Sequence, residues 1–404
     1  MDNAPPTRRP PGRPTVKIRP DKGRRLAEGA PWAFADEVAM DRRTRSLAPG
    51  ELVHLVEGDQ SHGLAAFNSA SKIPARLLDP DPGAAIDAAW FARHIAHALT
   101  LREALFDAPF YRLVHAEGDG LPGLVIDRFG EALAIQPNAA WLDRRLDALI
   151  EAVVQVAGAG AVVVNATSRA RKLEGLEEYL DVVRGTVAGP LAVTMNGATY
   201  FADLTGGQKT GLFYDQRPNH AFAAGVAAGA RVLDVFSHVG GFALAALAGG
   251  AASALAVDSS APALELAAQG AEAMGVTGRF ATRRSDAFAA LEELGQGGER
   301  FDMVICDPPA FAPNKAALPQ GLRAYERLAR LAAPLVAPGG WLGLCSCSHA
   351  AEPEAFRRAS ARGIRAGGRM AQLVHSGRAG PDHPQHAYLV ENSYLKALFF
   401  RLND

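Results

Sequence analysis

Apolar runs that end in acidic residues dominate the second half of the chain, and they restrict its fold more than any other feature. Asp234, Asp258, Asp286 and Asp307 each lie at the end of such a run, and a glycine pair at 240–241 follows the first of them. Acids at the carboxyl ends of successive strands, with glycines opening a helix beside the first, are typical of an open α/β sheet that forms a nucleotide-sized crevice. We therefore expect an enzyme.

Strand and helix patterns alternate from about residue 205 to the C-terminus. Strands separated by helices imply a parallel sheet with helices on both faces. The strand candidates are 231–235, 254–257, 302–306, 341–345 and 394–400, and helical stretches between them include 261–274 and 321–335.

The chain is longer than one ordinary domain. Its 404 residues predict two or three domains. Short apolar strands at 51–56 and 63–67 are separated by Gly and Pro turns near the start of the chain. We expect a basic arm and a small β module at 1–80, a central α/β module at 84–204, and a Rossmann-like domain at 205–404.

Charge is balanced over the chain but not along it. The composition is 48% hydrophobic and 21% charged with a formal net charge of -1, which indicates a soluble folded protein. Basic residues that include Lys22, Arg24 and Arg25 accumulate in the first twenty-five positions. This arm either attracts phosphate groups or is a solvated, proline-rich tail.

The three cysteines lie in the last quarter of the chain and have no disulfide or zinc spacing. A metal site from Cys345, Cys347, His349 and His383 is disfavoured, and a reducing cytoplasm fits. The apolar stretches near 221–257 are broken by Gly, Asp and His, and the start of the chain has no apolar leader. We expect neither secretion nor a membrane span.

The turn after Asp234 indicates the type of cofactor. It is longer than the GxGxxG dinucleotide fingerprint, and an acid precedes it. A carboxylate repels phosphate but accepts hydrogen bonds from a cation or a hydroxyl, which suits S-adenosyl-L-methionine. Its ribose diol would meet Asp258 and its adenine amino group Asp286. The alternative is that these acids are helix N-caps and turn residues.

A proline-rich loop follows the run at 302–306. In Asp307-Pro308-Pro309, two prolines remove N–H donors and stiffen the backbone, so the loop can present its carbonyls and the acid to a planar amine or base. Phe311 would offer a stacking face to that base. The alternative is a proline-rich turn with a buried Phe.

Two thiols follow the next strand candidate. Carbon 5 of a pyrimidine is a poor nucleophile, and the addition of a thiolate at carbon 6 activates it. Cys345 and Cys347 are candidates for such a thiolate, provided that nearby positive charge lowers the pKa. The alternative is that both cysteines are core residues.

Over nearly its whole length the chain resembles the bacterial class I methyltransferases that modify carbon 5 of cytosine in large-subunit (23S) ribosomal RNA and carry an N-terminal PUA domain. The resemblance implies a PUA module that docks RNA, a central α/β module and a Rossmann-like methyltransferase domain. The segments that carry it are PDKGRR at 20–25, GAPW at 29–32, FNSASKI at 67–73, EGDGLPGL at 117–124, GQKTGLFYDQR at 207–217 and DHP at 382–384.

The family pattern also implies roles for individual residues. Cys347 matches the nucleophile, and Asp307 would contact the target base. His383 is either a proton-transfer group or a surface-loop histidine. In the family picture, the methionine end of the cofactor is lined by Gln208, Lys209, Thr210, Phe213, Asp215 and Arg217. The other candidate cofactor-binding residues are Asp234, Phe236, Gly240, Gly241, Asp258, Ser259, Asp286 and Asp307. The candidate substrate-binding residues are Pro308, Pro309, Phe311, Lys22, Arg24 and Arg25.

Two other classes of function remain open. One is a methyltransferase acting on an exocyclic amine of RNA, which would need no cysteine. The other is an RNA-binding protein that has lost catalysis, which would show no saturable cofactor binding. The sequence identifies neither the target nucleotide nor the oligomeric state, and a homodimer is also open.

Overall fold

The computed structural model describes residues 12–206, 211–389 and 393–403. The chain forms two compact units. The first comprises Met1–Ala188 and Asp382–Asn392, and the second comprises Gly189–Pro381 and Ser393–Asp404. A short segment before the last strand therefore belongs to the first unit.

The first unit contains two five-stranded sheets. Its strands are β1 (Thr15–Lys17), β2 (Trp32–Ala33), β3 (Glu51–Glu57), β4 (Gln60–Phe67), β5 (Ala75–Asp79), β6 (Phe110–His115), β7 (Leu124–Phe129), β8 (Ala132–Pro137), β9 (Ala161–Ala166) and β10 (Tyr179–Arg184). Its helices are α1 (Arg24–Ala27), α2 (Arg42–Arg45), α3 (Ala88–Leu105), α4 (Ala140–Asp143), α5 (Leu146–Ala157) and α6 (Arg169–Leu173). The sheet orders are β1-β3-β4-β5-β2 and β10-β9-β8-β7-β6.

Strands β3 and β4 contribute to two cores. Leu52 and Leu64 pack in one core with Trp90, whereas Val53 and Phe67 belong to the other. Side chains alternate across a strand, so a sheet that is covered on both faces buries successive residues. This shared packing explains why the modules that we expected at 1–80 and 84–204 form one compact unit.

A buried ion network joins these two modules. Glu174 accepts hydrogen bonds from Asn68 Nδ2 at 3.0 Å, Ser71 Oγ at 2.7 Å and Arg76 Nη2 at 3.0 Å. Arg76 Nη1 also lies 3.4 Å from Glu117 Oε1. Two of the segments that carry the family resemblance therefore meet here, and their contacts are structural.

A second network of buried polar contacts involves Asp382 and His383, which belong to the short late segment of the first unit. The Asp382 carbonyl accepts a hydrogen bond from Arg102 Nη2 at 2.9 Å, and its carboxylate accepts one from Arg112 N at 3.0 Å. His383 is buried, with its Nδ1 at 2.9 Å from Asp382 Oδ1 and its ring centroid at 4.8 Å from that of His115. The interpretation of His383 as a surface-loop residue is therefore wrong, because its ring packs inside this network.

The second unit combines a β-hairpin with a seven-stranded sheet. Its strands are β11 (Leu191–Met195), β12 (Ala198–Ala202), β13 (Arg231–Val235), β14 (Ser253–Asp258), β15 (Phe280–Arg284), β16 (Phe301–Cys306), β17 (Val336–Ser346), β18 (Ala371–Gly377) and β19 (Lys396–Leu402). Its helices are α7 (Arg217–Gly225), α8 (Gly241–Ala248), α9 (Ala261–Ala273), α10 (Ala287–Gln296), α11 (Leu318–Ala332) and α12 (Pro353–Ala366). The large sheet has the order β15-β14-β13-β16-β17-β19-β18.

The topology confirms the doubly wound α/β fold with one exception. Strands β13 to β17 are parallel, but β19 runs antiparallel between β17 and β18. The expectation of a purely parallel sheet is wrong at this edge because no crossover helix connects β18 to β19 among the described residues. The hairpin β11–β12 packs on α8 and α9, so the second unit begins at Gly189 and not at residue 205.

Candidate functional site

The strand order of the second unit reverses next to β13. The chain proceeds from β13 to β14 and β15 on one side and then crosses to β16 on the other. Ligands of open α/β sheets bind outside the carboxyl ends of the strands at such a switch point. Asp307 begins the loop after β16, and its N–H donates to the carbonyl of Val235 at 3.2 Å. The loops after β13 and β16 therefore start side by side.

The acids at the strand ends are close enough to influence one another. Asp234 has no exposed surface, and burial raises its pKa to about 8. The N–H of Ala243 opposes this shift, while the negative charges of Asp307 and Asp258 add to it. The expected cluster of strand-end acids is therefore present at the switch point.

One oxygen of Asp234 lacks a partner. Its Oδ2 accepts a hydrogen bond from the N–H of Ala243 at 2.9 Å, but its buried Oδ1 has no hydrogen bond within the described part of the chain. A buried carboxylate in this state is costly unless a donor or a cation meets it. The amino group of S-adenosyl-L-methionine has the charge and the donors that this oxygen requires, so the residue fits that cofactor.

The loop after β13 has an unusual backbone. Phe236, His238 and Gly240 have φ angles of 63°, 50° and 80°, in the left-handed region. A bulky residue such as Phe rarely adopts this conformation, and such strain clusters at ligand sites. The strained loop supports the same location for the site, independently of the acids.

The glycine pair serves helix packing. A Cβ atom on Gly240 would lie 3.1 Å from Ala267 Cβ, and one on Gly241 would lie 2.9 Å from His220 Nε2. The absence of side chains thus allows α8 to pack closely on its neighbours. Helix packing therefore requires glycine at both positions, and the cofactor-binding role of Gly240 and Gly241 stays a prediction.

The next two acids make backbone contacts. Asp258 accepts hydrogen bonds from the N–H groups of His238 and Ser260, each at 2.9 Å. Asp286 is exposed and caps α10 through the N–H of Ala289 at 3.0 Å. These contacts agree with the alternative interpretation, in which Asp258 is a turn residue and Asp286 is a helix N-cap. Each carboxylate oxygen can still accept a second hydrogen bond. Ser259 is exposed, and its carbonyl accepts a hydrogen bond from an arginine side chain.

Three half-buried aromatic rings lie beside these acids. Phe288 and Phe311 have ring centroids 6.1 Å apart, and each packs against Phe236 at 6.5 Å and 6.4 Å. Phe311 also contacts Tyr325 at 4.9 Å. The ring of Phe311 is half-buried in this cluster, and its stacking on an RNA base stays a prediction. Of the two prolines before it, Pro308 is buried and Pro309 is exposed.

The segment at 207–217 is described only from residue 211. Gln208, Lys209 and Thr210 lie outside the described residues. Asp215 is buried, with Oδ2 accepting a hydrogen bond from Tyr394 Oη at 2.7 Å and Oδ1 unpartnered among the described residues. Phe213 lies 5.1 Å from the ring of His238, and Arg217 lies over the ring of Tyr214 at 5.6 Å.

The three cysteines have different environments. Cys306 is in the core, and burial raises the pKa of its thiol. Burial and then the charge of Asp307 raise the pKa of Cys345 well above its usual value. Cys347, one residue beyond the end of β17, is half-buried. Of the two candidates, Cys347 is therefore the thiol that a substrate can reach.

Two serines fix the residues around Cys347. Ser346 Oγ donates to Tyr325 Oη at 2.8 Å, and Ser348 Oγ lies 2.7 Å from the same phenol. Ser348 Oγ also accepts a hydrogen bond from the N–H of Ala312 at 2.9 Å. Because alternate residues share a side, these contacts hold the strand end against the proline-rich loop and leave Cys347 on the opposite side.

A buried lysine beside Cys347 was not predicted from the sequence. Lys396 begins β19, is 6% exposed, and donates a hydrogen bond from Nζ to the carbonyl of Ser348 at 2.7 Å. Burial lowers its pKa to about 8, while the negative charge of Cys347 acts in the opposite direction. The sequence feature that could have indicated this residue was a lysine inside the apolar strand candidate at 394–400.

The predicted basic arm is only partly available to RNA. Lys22 is exposed, but Arg24 pairs with Glu28 at 2.8 Å and Arg25 pairs with Glu37 at 3.4 Å. The first eleven residues of the chain lie outside the described ranges. Helix α2 adds three exposed arginines that were not predicted as RNA contacts and that have no ion-pair partner among the described residues: Arg42, Arg43 and Arg45.

The strand order, the strained loop and the acids at the switch point define a class I methyltransferase fold. A family model described as S-adenosylmethionine-dependent methyltransferase matches residues 123–401, and a PUA-like domain model matches residues 16–80. Within the described residues, no group of acids, histidines or cysteines is arranged to hold a metal ion. No helix among those residues is long and apolar enough to cross a membrane.

The comparison with curated proteins narrows the family. Ribosomal RNA large subunit methyltransferase I of Klebsiella pneumoniae is 34% identical, with 96% of this chain and 98% of that protein covered. The protein of the same name from Cronobacter sakazakii is 35% identical over 95% of this chain and 98% of its own length. The chain therefore belongs to the family of S-adenosylmethionine-dependent methyltransferases that includes ribosomal RNA large subunit methyltransferase I, and its cofactor is S-adenosyl-L-methionine.

The fold also occurs in a solved structure. SMU.776, crystallised in complex with SAH, superimposes with a TM-score of 0.82 at 20% identity, covering 96% of this chain and 100% of that one. This likeness supports the fold of the whole chain.

Proposed function

We propose that the protein methylates carbon 5 of a cytosine in large-subunit ribosomal RNA, in the cytoplasm, through a thiolate adduct of Cys347. The observation that carries the proposal is the half-buried Cys347 at the carboxyl edge of the sheet, next to the Asp-Pro-Pro loop. The class of RNA follows from the relatives, which are large-subunit ribosomal RNA methyltransferases. The pairing of an accessible thiol with a methyl donor suits a pyrimidine carbon better than an amine.

The cofactor would be held at the switch point. Asp234 would meet its amino group and Asp258 its ribose hydroxyls, while the half-buried ring of Phe288 would cover the adenine. Arg217 is a candidate for the carboxylate of its methionine end. The further cofactor-binding residues in this proposal are Gln208, Lys209, Thr210, Phe213, Asp215, Phe236, Gly240, Gly241, Ser259, Asp286 and Asp307.

Cys347 would carry the covalent steps. Its thiolate adds to carbon 6 of the cytosine, and the electron pair of the ring double bond moves to carbon 5, which becomes nucleophilic. When bound, the cofactor supplies an electrophilic methyl group for that carbon. A base that passes its proton to solvent then removes the carbon 5 proton, and the freed electron pair re-forms the ring double bond, breaks the bond between carbon 6 and sulfur, and restores the thiolate. Asp307 would orient the base from the loop after β16, with Pro308 and Pro309 stiffening that loop.

RNA would dock on exposed basic residues of the first unit. Lys22 and the three arginines of α2 are exposed and form no salt bridge with a described acid, whereas Arg24 and Arg25 already have acidic partners. Phosphate contacts of this type make binding sensitive to salt. We therefore expect RNA affinity to fall as the salt concentration rises, as a filter-binding titration would measure.

A labelling experiment tests the proposal. Ribosomal RNA from a strain without this protein should gain radiolabel from labelled S-adenosyl-L-methionine on cytosine, identified after nuclease digestion. Cys347→Ala should reduce the rate by roughly 10³-fold or more, whereas Cys345→Ala, the matched control, should stay within about tenfold of the unmodified protein. Label on adenine or guanine, or full activity of Cys347→Ala, contradicts the proposal and favours transfer to an exocyclic amine.

A further inference from the structure

Strand pairing brings a cation to the proposed nucleophile. Strands β17 and β19 are antiparallel, and Ser346 faces Lys396 in their register. The hydrogen bond from Lys396 Nζ to the carbonyl of Ser348 spans Cys347, because Ser346 and Ser348 are its two neighbours in the chain. The ammonium group is thus tied to the short segment that carries the thiol.

Stability does not explain a lysine at this position. The four residues after Lys396 in β19 are buried and apolar, and Lys396 itself is 6% exposed. Among the described residues, no carboxylate forms an ion pair with it, and its hydrogen bond goes to a neutral carbonyl. Burial of an unpaired ammonium group disfavours folding, so a function for the charge is the better explanation.

Three other titratable groups lie near Cys347. Burial, and to a smaller extent the negative charge of Cys347, raise the pKa of the Tyr325 phenol in α11. Asp307, in the loop after β16, acts on Cys345 of β17 in the same direction. His349 lies two residues after the thiol, with its ring 5.4 Å from that of Tyr394. Lys396, in contrast, brings a positive charge that interacts with the Cys347 thiolate.

We propose that Lys396 keeps Cys347 in its thiolate form at neutral pH and orients it through the Ser348 carbonyl. The thiol proton leaves to solvent, and Lys396 keeps its own proton. An adjacent positive charge favours a thiolate, and the attraction is mutual: the thiolate favours the protonated lysine. Lys396 is a positioning residue, since it acts through Cys347. Its contribution to catalysis rests on the proposed function, in which Cys347 is the nucleophile.

The pH dependence of thiol alkylation tests this inference directly. The intact protein is treated with iodoacetamide from pH 5 to 10, and the modified Cys347 peptide is quantified by mass spectrometry. Lys396→Met should move the midpoint of the profile upward by about 1–2 pH units, since the stabilising charge is lost. Lys396→Arg should keep the midpoint close to that of the unmodified protein, because it keeps a positive charge. Lys315→Met, which removes an exposed lysine of the same unit, should leave the profile unchanged.

A purely structural role predicts a different result. In that case Lys396→Met would lower the melting temperature at pH 7 and leave the alkylation midpoint of the folded fraction in place, which would overturn the inference. Lys396→Gln provides a second neutral variant if the methionine variant does not fold. Failure of the proposed function is separately visible, because Cys347→Ala would then retain methyl transfer even if Lys396→Met shifts the alkylation profile.

Discussion

The two units differ in whether their buried carboxylates have hydrogen-bond partners for both oxygens. In the first unit, Arg102 makes two hydrogen bonds to Asp119, at 2.6 and 2.7 Å, and Arg112 makes two to Asp127, at 2.6 and 3.0 Å. Every oxygen of these two carboxylates has an arginine donor. Fully paired buried charges of this kind hold segments in place.

The second unit leaves buried carboxylate oxygens without partners. Asp234 Oδ1 in β13 and Asp215 Oδ1 in the turn before α7 have no hydrogen bond to the described residues. Both units contain segments that resemble the same family, so the resemblance alone does not distinguish structural acids from ligand-binding acids. Their hydrogen bonds make this distinction. Acids with complete hydrogen bonding stabilise the fold, whereas buried acids with an unpartnered oxygen indicate where a ligand binds.

The largest expected effect is on stability, from breaking a paired charge in the first unit. Arg102→Ala leaves Asp119 buried without its cation and should lower the free energy of unfolding by about 3–5 kcal/mol. Tryptophan fluorescence during urea unfolding reports it, because Trp32, Trp90 and Trp141 all lie in this unit. Cofactor affinity of the folded fraction should be unchanged. Lys172→Ala, which breaks an exposed ion pair of the same unit, is the control, and an equal loss there would contradict the distinction.

One substitution made in both units should change stability with opposite signs. Asp127→Asn removes a charge that Arg112 neutralises and should lower the free energy of unfolding by about 2–4 kcal/mol. Asp234→Asn removes a charge without a cation and should raise that free energy for the cofactor-free protein at pH 8, by on the order of 2–4 kcal/mol. Calorimetric titration should show that the same Asp234→Asn protein binds the cofactor at least about 100-fold more weakly.

The gain in Asp234→Asn depends on pH. The carboxyl ionises near pH 3.8 when unfolded, but its pKa is about 8 when folded. Between these values the unfolded chain loses a proton that the folded protein keeps, so the stability of the unmodified protein falls as the pH rises through this interval. The variant does not titrate there, and its advantage should grow from pH 4 to pH 8. Equal pH dependence of both proteins in thermal melts would contradict the raised pKa of Asp234.

A glycine substitution tests the strained loop of the second unit. Gly240→Ala places a Cβ atom 3.1 Å from Ala267 Cβ at a φ of 80°, and should lower the free energy of unfolding by about 2–3 kcal/mol. Gly229→Ala is the control, since its φ is 72° but no atom lies within 4 Å, and about 1 kcal/mol is expected. Chemical denaturation measures both. Equal losses would mean that helix packing is not what requires the glycine.

The sequence predicted the strands and acids of the site because both depend on local patterns. The strand predicted at 231–235 agrees with β13, and the strand predicted at 302–306 agrees with β16 apart from one residue at its start. Alternating apolar runs and helices also determine that successive acids meet at one edge of the sheet. These features need no knowledge of contacts between distant residues.

Features that depend on distant contacts could not be predicted. Lys396 reaches Cys347 only because β19 inserts antiparallel beside β17, and local sequence does not specify that choice of neighbour. Similarly, Arg102 and Asp382 are 280 positions apart, so their pairing is invisible in the sequence. For Lys396, the available signal was a single charged residue inside an apolar stretch.

The smallest expected difference separates two N-cap acids. Asp87 caps α3 in the first unit, and Asp286 caps α10 in the second, each through one carboxylate oxygen. Replacement of either by Ala should lower the free energy of unfolding by about 1 kcal/mol, because a helix loses its N-cap hydrogen bond. If Asp286 also binds the adenine amino group, Asp286→Ala should weaken cofactor binding by roughly 3–10-fold, whereas Asp87→Ala should not, as calorimetric titration would measure. Equal affinities in the two variants would restrict Asp286 to its capping role and leave Asp234 and Asp258 as the acids that recognise the cofactor.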